Sequence, residues 1–583
     1  MRGAQLLFAS ALVAACCALD NCVGRTPAAG WSSWNVFGDG VSAAAIMGMA
    51  DAMVLHGLDE LGYTYVGIDC GWSLPTRAAN GDLQPKPTTF PDGILPVAEY
   101  VRSRGRGLLK LGLYSEHATE DCCGGPGMRG FEDQDARFFA ANGIEYMKID
   151  SCKGHDDAPA VQYADYARIR DALNRTGARM YLNICPTVKV AHGTPLRCRT
   201  WDNVYTPLGF AQAGFDVRGL ANSYLVEECN NNNNFDTLLS IVDAQHALAN
   251  DSWSAPGSWI DADMLTIGCN DNPIPGTPCT TGVALTLDEQ ASQMSLWCVF
   301  ASNLMLGSDL RVVSNATLGI IGNAEALAVN RDAAGAHGRL VFDSAPGAAA
   351  APASPPPAAK GVVIAPCNGG APQRFTFHAD GSVTSADGAC LDVWDCGTAN
   401  GTLVDLFACH VGTPACGDAR RSTNQVFTLD AAGRLLSALG SDLCLDIYNG
   451  AGPAVDLWQC HPAGANSNQL WVYDAANSTL ESVGTPGWCL SAPAPPPPPP
   501  PRFQVFAKPL ASGARAVAVF NRGAAAVDAA CRWADIARGG GVWARATVRD
   551  LWAHADLGAF DGGFTVVGLR PHATALLLVA SAA

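Results

Sequence analysis

Past its first twenty residues the sequence holds no run long and apolar enough to cross a bilayer as a helix. Basic residues are scarce: 37 Lys and Arg stand against 54 Asp and Glu, for a net charge of −17. That balance argues against nucleic acid or an anionic membrane as a partner. The 22 cysteines form no close C-x-x-C pairs with histidines, so zinc is not expected, nor any other metal or cofactor. What the cysteines do suggest is an oxidising compartment and a disulfide framework. The opening MRGAQLLFASALVAACCALD agrees: Arg2, a short apolar run and the small residues Ala15 to Ala18 read as a cleaved secretory signal over residues 1–18. Sequons at Asn174, Asn250, Asn315, Asn400 and Asn477 point the same way, to secretion or to a lysosome or vacuole. At 583 residues the chain is too long for one core, and several domains are expected.

The stretch Ile144 to Cys152, IEYMKIDSC, reads as a buried strand whose apolar positions give way to Lys148 and Asp150. Burying those charges costs several kcal/mol unless they pair or face a cleft. An ordinary buried ion pair and a strand end facing a site both satisfy that demand. The surrounding sequence favours the site. LKLGLY (109–114) ends at Ser115, Glu116 and His117, and YTYVGID (63–69) ends in Cys70, Gly71 and Trp72. Leu182 to Cys185 and Tyr224 to Glu228 continue the series, with amphipathic segments between: Ala43 to Leu61, Gly93 to Gly105, Asp133 to Asn142 and Tyr163 to Gly177. Strands alternating with helices over roughly 250 to 300 residues predict a (β/α)8 TIM barrel, with its chemistry at the C-terminal strand ends.

On these stretches the chain resembles glycoside hydrolase family 27, the α-galactosidase and α-N-acetylgalactosaminidase (melibiase) group. The matching runs are TPAAGWSSWNVFG (26–38), ADAMVLHGLDELGYTYVGIDCGW (50–72), GDLQPKPTTFPDGI (81–94), LKLGLYS (109–115), EYMKIDSC (145–152), APGSWIDADML (255–265) and a last run over 295–311. The resemblance implies an exo-acting retaining hydrolase that releases terminal α-linked galactose by double displacement. It makes Asp150 of the K-x-D motif the nucleophile, sets Trp34, Asp69, Tyr114 and Lys148 around the sugar, and joins Cys122 to Cys152 beside the nucleophile. The chemistry is consistent. Such an enzyme needs one ionised carboxylate and a second carboxyl about 5 to 5.5 Å away that first protonates the leaving oxygen and then activates water. A lysine near Asp150 favours its charged form, a carboxylate such as Asp69 accepts sugar hydroxyls, and an indole lies against the apolar face of a pyranose.

The chain also departs from the family. Cys70 stands where a second Asp is normal, and Pro186 replaces the Glu of a C-E-W motif, which leaves galactose and N-acetylgalactosamine undecided. Where the family writes W-R-T-T-G-D before a D-N-W helix start, Tyr224 to Phe235 reads YLVEECNNNNNF. Leu225 takes the arginine position, and the acid/base Asp falls at Cys229 or Asn230, neither of which replaces a proton-donating carboxyl there. Glu228 is the expected acid/base, with Glu227 beside it and Asp202, in an inserted CRTWDN loop, as alternatives. A barrel that binds sugar without turnover is the remaining reading. The asparagines 230–234 suit a helix-capping loop.

Ala345 to Ala359 is rich in Ala and Pro, and Pro493 to Pro501 holds an unbroken proline run, a stiff polyproline II spacer. Between them a pattern recurs at about fifty residues: C-L-D, a later Cys, then Q-x-aromatic. One unit has Cys390, Leu391, Asp392, Cys409, Gln425 and Phe427; the next has Cys444, Leu445, Asp446, Cys460, Gln469 and Trp471. This resembles the ricin-type β-trefoil lectin. The resemblance implies one galactose site at Asp446, Trp458, Asn468 and Gln469 and another at Asp392, Phe407, Asn424 and Gln425, with bridges Cys390–Cys409 and Cys444–Cys460. Gln469 and Trp471 also suit a trefoil core. The third unit is split between Trp488 to Leu490 and Cys367 to Phe377, so the same likeness pairs Cys367 with Cys489. Galactose-containing glycans are the implied partners. GRLVFD (338–343) and residues 502–583 together resemble the antiparallel β-sandwich that follows the barrel in the enzyme family. The expected architecture is a barrel (19–334), a sandwich split into 335–345 and 502–583, linkers (346–359 and 493–501) and an inserted trefoil (360–492).

Overall fold

The computed structural model describes residues 21–154, 157–186, 188–189, 203–204, 215–225, 234–248, 253–271, 274, 277–280, 284–345, 361–410, 423–440, 442–450, 452–462, 466–493, 502–537 and 543–582. Asp202, Glu227, Glu228, Cys229 and Asn230 lie outside the described residues. Two compact units form, one from 1–348 with 499–583 and one from 349–498.

In the first unit, β1 (Ala29–Ser32), β2 (Tyr65–Gly67), β3 (Lys110–Glu116), β4 (Tyr146–Asp150), β5 (Tyr181–Ile184), β6 (Ser223–Leu225), β7 (Trp259–Asp261) and β8 (Leu304–Leu306) form one parallel sheet in the order β8-β1-β2-β3-β4-β5-β6-β7. A parallel bridge from Leu265 to Leu306 joins its ends and closes the barrel. Gly30 is required at the β1–β2 contact, because a Cβ there would lie 2.2 Å from the Tyr65 carbonyl. Alternation along β4 sorts its residues. Met147 and Ile149 are buried in the layer under the helices, while Tyr146 belongs to an inner cluster with Tyr65, Tyr181, Trp259 and Met305. Lys148 and Asp150, two and four residues on from Tyr146, share its inward face. The third strand runs further than LKLGLY suggests: Ser115 and Glu116 continue the ladder, opposite Ile149 and Asp150.

The sandwich begins with β9 (Arg339–Asp343), which pairs antiparallel with Phe503–Pro509 far along the sequence. Period-2 alternation gives its strands two apolar faces. Phe506, Ala516, Ala518, Phe520 and Leu576 pack into the barrel's outer core, while Val505, Val517, Val519, Leu577 and Val579 form a core of their own. Fully buried Lys508 donates from Nζ to the carbonyls of Cys298 (3.3 Å), Val329 (2.6 Å) and Asn330 (3.2 Å), satisfying groups at the ends of two barrel helices.

The second unit is all β. Its first strand, β10 (Val363–Pro366), pairs with its last, β21 (Trp488–Ser491), and Cys367–Cys489 ties them across 122 residues. Strand pairs β13 (Cys390–Val393) with β14 (Thr402–Phe407), and β17 (Leu443–Ile447) with β18 (Val455–Gln459), are braced by Cys390–Cys409 and Cys444–Cys460. One glutamine per repeat is buried and accepts a loop amide: Gln373 from Asn368, Gln425 from His410 and Gln469 from His461.

Candidate active site and lectin sites

The strand ends of β2, β3 and β4 assemble the charged cluster. Lys148 Nζ donates to Asp69 Oδ2 at 2.9 Å, and Asp69 Oδ1 accepts the Cys70 N–H, also at 2.9 Å. Asp150 Oδ1 accepts the Ser151 N–H at 2.9 Å, and Oδ2 accepts the Tyr114 hydroxyl at 3.1 Å. Burial, with the Asp69 charge adding to it, raises the Asp150 carboxyl above the usual range, and Lys148, the Ser151 N–H and the Tyr114 hydroxyl offset only part of that rise. For Lys148, burial works against the charge, but Asp69 and Asp150 outweigh it and hold the ammonium well above the ordinary lysine range. The cluster thus gives buried Asp150 a neighbouring cation and two hydrogen-bond donors, all of which act in favour of the charged form a nucleophile needs.

Two disulfides fix these strand ends. Adjacent Cys122 and Cys123, after β3, bridge to Cys152 after β4 and to Cys70 after β2. Cys70, read in the sequence only as a lost carboxylate, is thus a covalent brace between neighbouring loops. Cys269–Cys279 is a further bridge that the sequence pattern did not announce.

The pocket beside the cluster is lined by Ser32, Asp69, Tyr146, Lys148, Asn183, Leu225, Asp261, Asp263, Met264 and Met305, among others. Asp150 stands two residues beyond Lys148 on the same strand, and neither it, Tyr114 nor Trp34 is part of that lining. Trp34 packs against the inner aromatic cluster. Leu225 presents an apolar wall where the family carries arginine. Asp261 and Asp263 were missed in the sequence, although in WIDADML Asp261 closes the strand, as Asp150 does in KID, and Asp263 follows it by two residues. Asp261 is held by the Asn183 amide at 2.7 Å and the Asn303 amide at 2.8 Å. Asp263 sits at φ 68°, a left-handed conformation uncommon for a non-glycine residue.

Behind Asp150, Glu116 and His117 are fully buried. Burial first, and then the Asp150 charge, drive the Glu116 carboxyl well above the usual range.

In the trefoil, Asp392 Oδ2 accepts amide donors from Asn424 and Gln425, both at 2.8 Å, and Phe407, on the facing strand opposite Cys390, is 56 % exposed. In the other repeat, Asp446 is buried and Trp458 is 37 % exposed. Asn468 packs close to Gly450. Gln425 and Gln469 are themselves buried, so their place is to hold the loop and, for Gln425, to orient Asp392. The third repeat carries Ser491 where the others carry that Asp.

A closed parallel barrel with a lysine-flanked carboxylate at its strand ends defines a TIM-barrel enzyme of the glycosidase class, here carrying a lectin-type trefoil. The family profile described as alpha galactosidase A matches residues 26–208 and 227–332. The profile of the alpha galactosidase C-terminal beta sandwich domain matches 501–579, and that of the ricin-type beta-trefoil lectin domain matches 348–417 and 411–500. Among curated relatives, alpha-galactosidase A of Cellvibrio japonicus is 35% identical over 316 residues, 53% of this chain and 69% of that protein. The alpha-galactosidase of Oryza sativa is 33% identical over 56% of this chain and 68% of its own length. Among solved structures, alpha-galactosidase I from Mortierella vinacea superposes with a TM-score of 0.59 at 21% identity, covering 97% of this chain and 99% of that one. A family 27 β-L-arabinopyranosidase from Geobacillus stearothermophilus reaches 0.56 at 17% identity, with coverage of 96% and 98%. The chain belongs to the α-galactosidase A family of glycoside hydrolase family 27, with a ricin-type lectin domain inserted in its sandwich.

Proposed function

We propose that the protein is a retaining α-galactosidase that removes terminal α-linked galactose from oligosaccharides or glycoconjugates, held near galactose-rich glycans by its lectin unit. Asp150 attacks the anomeric carbon, Asp69 and Lys148 hold sugar hydroxyls, and Glu228 protonates the leaving oxygen and then activates water. The observation that carries this reading is the Asp69–Lys148 contact of 2.9 Å beside Asp150, which takes the Tyr114 hydroxyl and the Ser151 N–H. The bridges favour an oxidising compartment, outside the cell or in a lysosome or vacuole.

Leu225 in the pocket wall and the missing family acid at 229–230 favour a second reading, a sugar-binding barrel with impaired turnover. Hydrolysis of an activated and an unactivated α-galactoside, measured side by side, separates the two. A full acid/base cleaves both, whereas an activated leaving group needs little protonation and its cleavage alone marks a missing acid. Running the N-acetylgalactosaminide in parallel reads the consequence of Pro186.

A further inference from the structure

In the trefoil, β17 and β18 place Asp446 directly opposite Asp456. Residues opposed in an antiparallel pair project to the same face, with Cβ atoms about 4.5 to 5.5 Å apart. Asp456 is only 4 % exposed, and neither of its carboxyl oxygens has a hydrogen-bond partner in the structure. A buried, unpaired carboxylate would be costly, and a second one facing it would cost more. The sister repeat has the same opposition, Asp392 with buried Asp405, and there Asp392 takes the Asn424 and Gln425 amides and lies 3.4 Å from His410 Nε2.

Trp458 follows Asp456 by two residues on β18 and so shares its face. A Cβ built on Gly401 would lie 4.0 Å from both Asp456 Oδ2 and the Trp458 ring. The carboxyl and the indole therefore border one small space, left clear by a residue without a side chain. A carboxyl pair beside an indole is the chemistry that recognises a neutral pyranose, whose C–H face stacks while its hydroxyls pair.

We propose that Asp456 is a sugar-binding residue of this site, that it acts as a neutral acid sharing one proton with Asp446, and that the site takes a galactose-type pyranose only in that singly protonated form. The hydroxyl of Asp456 donates to Asp446, leaving the remaining carboxyl oxygens for sugar hydroxyls. Titration follows from the surroundings. Burial raises the Asp446 carboxyl, with the Gln469 amide and His461 offsetting part of the rise, whereas Asp456 has no such partner among the described residues and faces Asp446 and, across the strand pair, Leu403. Burial first, and then Asp446, push Asp456 up to about 7. The inference rests on reading the second unit as a galactose lectin.

The test is galactose binding by the full chain, carrying Asp392→Ala to silence the sister site, from about pH 5 to about pH 9. Loss of one required proton should weaken binding by about tenfold per pH unit on the alkaline side of about pH 7. Asp456→Asn, which keeps a donor for Asp446 but cannot ionise, should bind with no such slope. A flat profile before that change, or the same slope after it, would overturn the inference. Restoration of alkaline binding by calcium would also overturn it, by giving the carboxyl pair to a cation in place of the proton. Absence of galactose binding at every pH would sink the lectin reading; difference titration of the unliganded chain against the Asp456→Asn variant then still decides the proton, whose release near an ordinary aspartate range would refute the shared acid.

Discussion

Glu116 Oε1 and His117 Nε2 face each other at 3.6 Å, both fully buried, and each lacks a hydrogen-bond partner. On the far side, His117 Nδ1 lies 3.1 Å from Asp165 Oδ2, which also accepts the Arg129 guanidinium. Glu116 Oε2 accepts the Cys152 N–H at 2.8 Å. Burial and the Asp150 charge favour a proton on Glu116, which places an O–H donor beside Nε2 and keeps a second negative charge away from Asp150.

Glu116→Gln should therefore be mild, because its amide supplies the same donor to His117 while its carbonyl still accepts from Cys152; turnover is expected within about twofold of the parent. Glu116→Leu removes the acceptor of the Cys152 N–H and the polar neighbour of the His117 nitrogen, and should lower stability by about 1 to 3 kcal/mol. Thermal unfolding and kcat for the two variants check this; equal damage by both would refute the neutral acid.

Asp150→Asn should cut hydrolysis by about a thousandfold or more while leaving circular dichroism and galactose binding nearly intact. Mass mapping after trapping with an activated fluorinated galactoside should place the sugar on Asp150. A label on any other carboxylate would move the nucleophile.

Glu228→Gln should slow poor leaving groups far more than activated ones, and azide should restore turnover of the activated substrate. An unaltered rate would pass the role to Glu227 or Asp202.

Removing the Cys367–Cys489 bridge, which closes 122 residues of chain, should destabilise the trefoil by about 2 to 5 kcal/mol. Denaturant unfolding of the double serine variant measures it. The bridge joins the two halves of the split repeat, so a variant as stable as the parent would show that β10–β21 pairing alone closes the module.

The signals that could be read from the chain were local ones. Apolar runs ending in KID, LYSEH and GIDC marked the barrel's strand ends because the side-chain period and the abrupt change to polar residues both lie within a few positions. The recurrence of C-L-D and Q-x-aromatic marked the trefoil for the same reason, and half-motifs at its two ends implied closure.

Which residues meet across strands was not local. The ion pair of Lys148 is with Asp69, on another strand, and Asp150 takes its hydroxyl partner from β3. Cys70 became half of a bridge to Cys123 only when the loops after β2 and β3 came together. Glu116 was legible as a polar strand end, but its position beside Asp150 follows from the parallel register of β3 on β4.

By itself, then, the sequence determined the succession of strands and helices, the split sandwich and the residue types available at each strand end, because periodicity and motif spacing act along the chain. Tertiary structure decided the partners: that Asp263 enters the pocket on a left-handed turn, that buried Gln425 and Gln469 brace loops, and that Asp456 confronts Asp446. Such oppositions are set by strand register, where a slip of one residue turns every side chain to the other face, and no single segment encodes the register it will adopt against another.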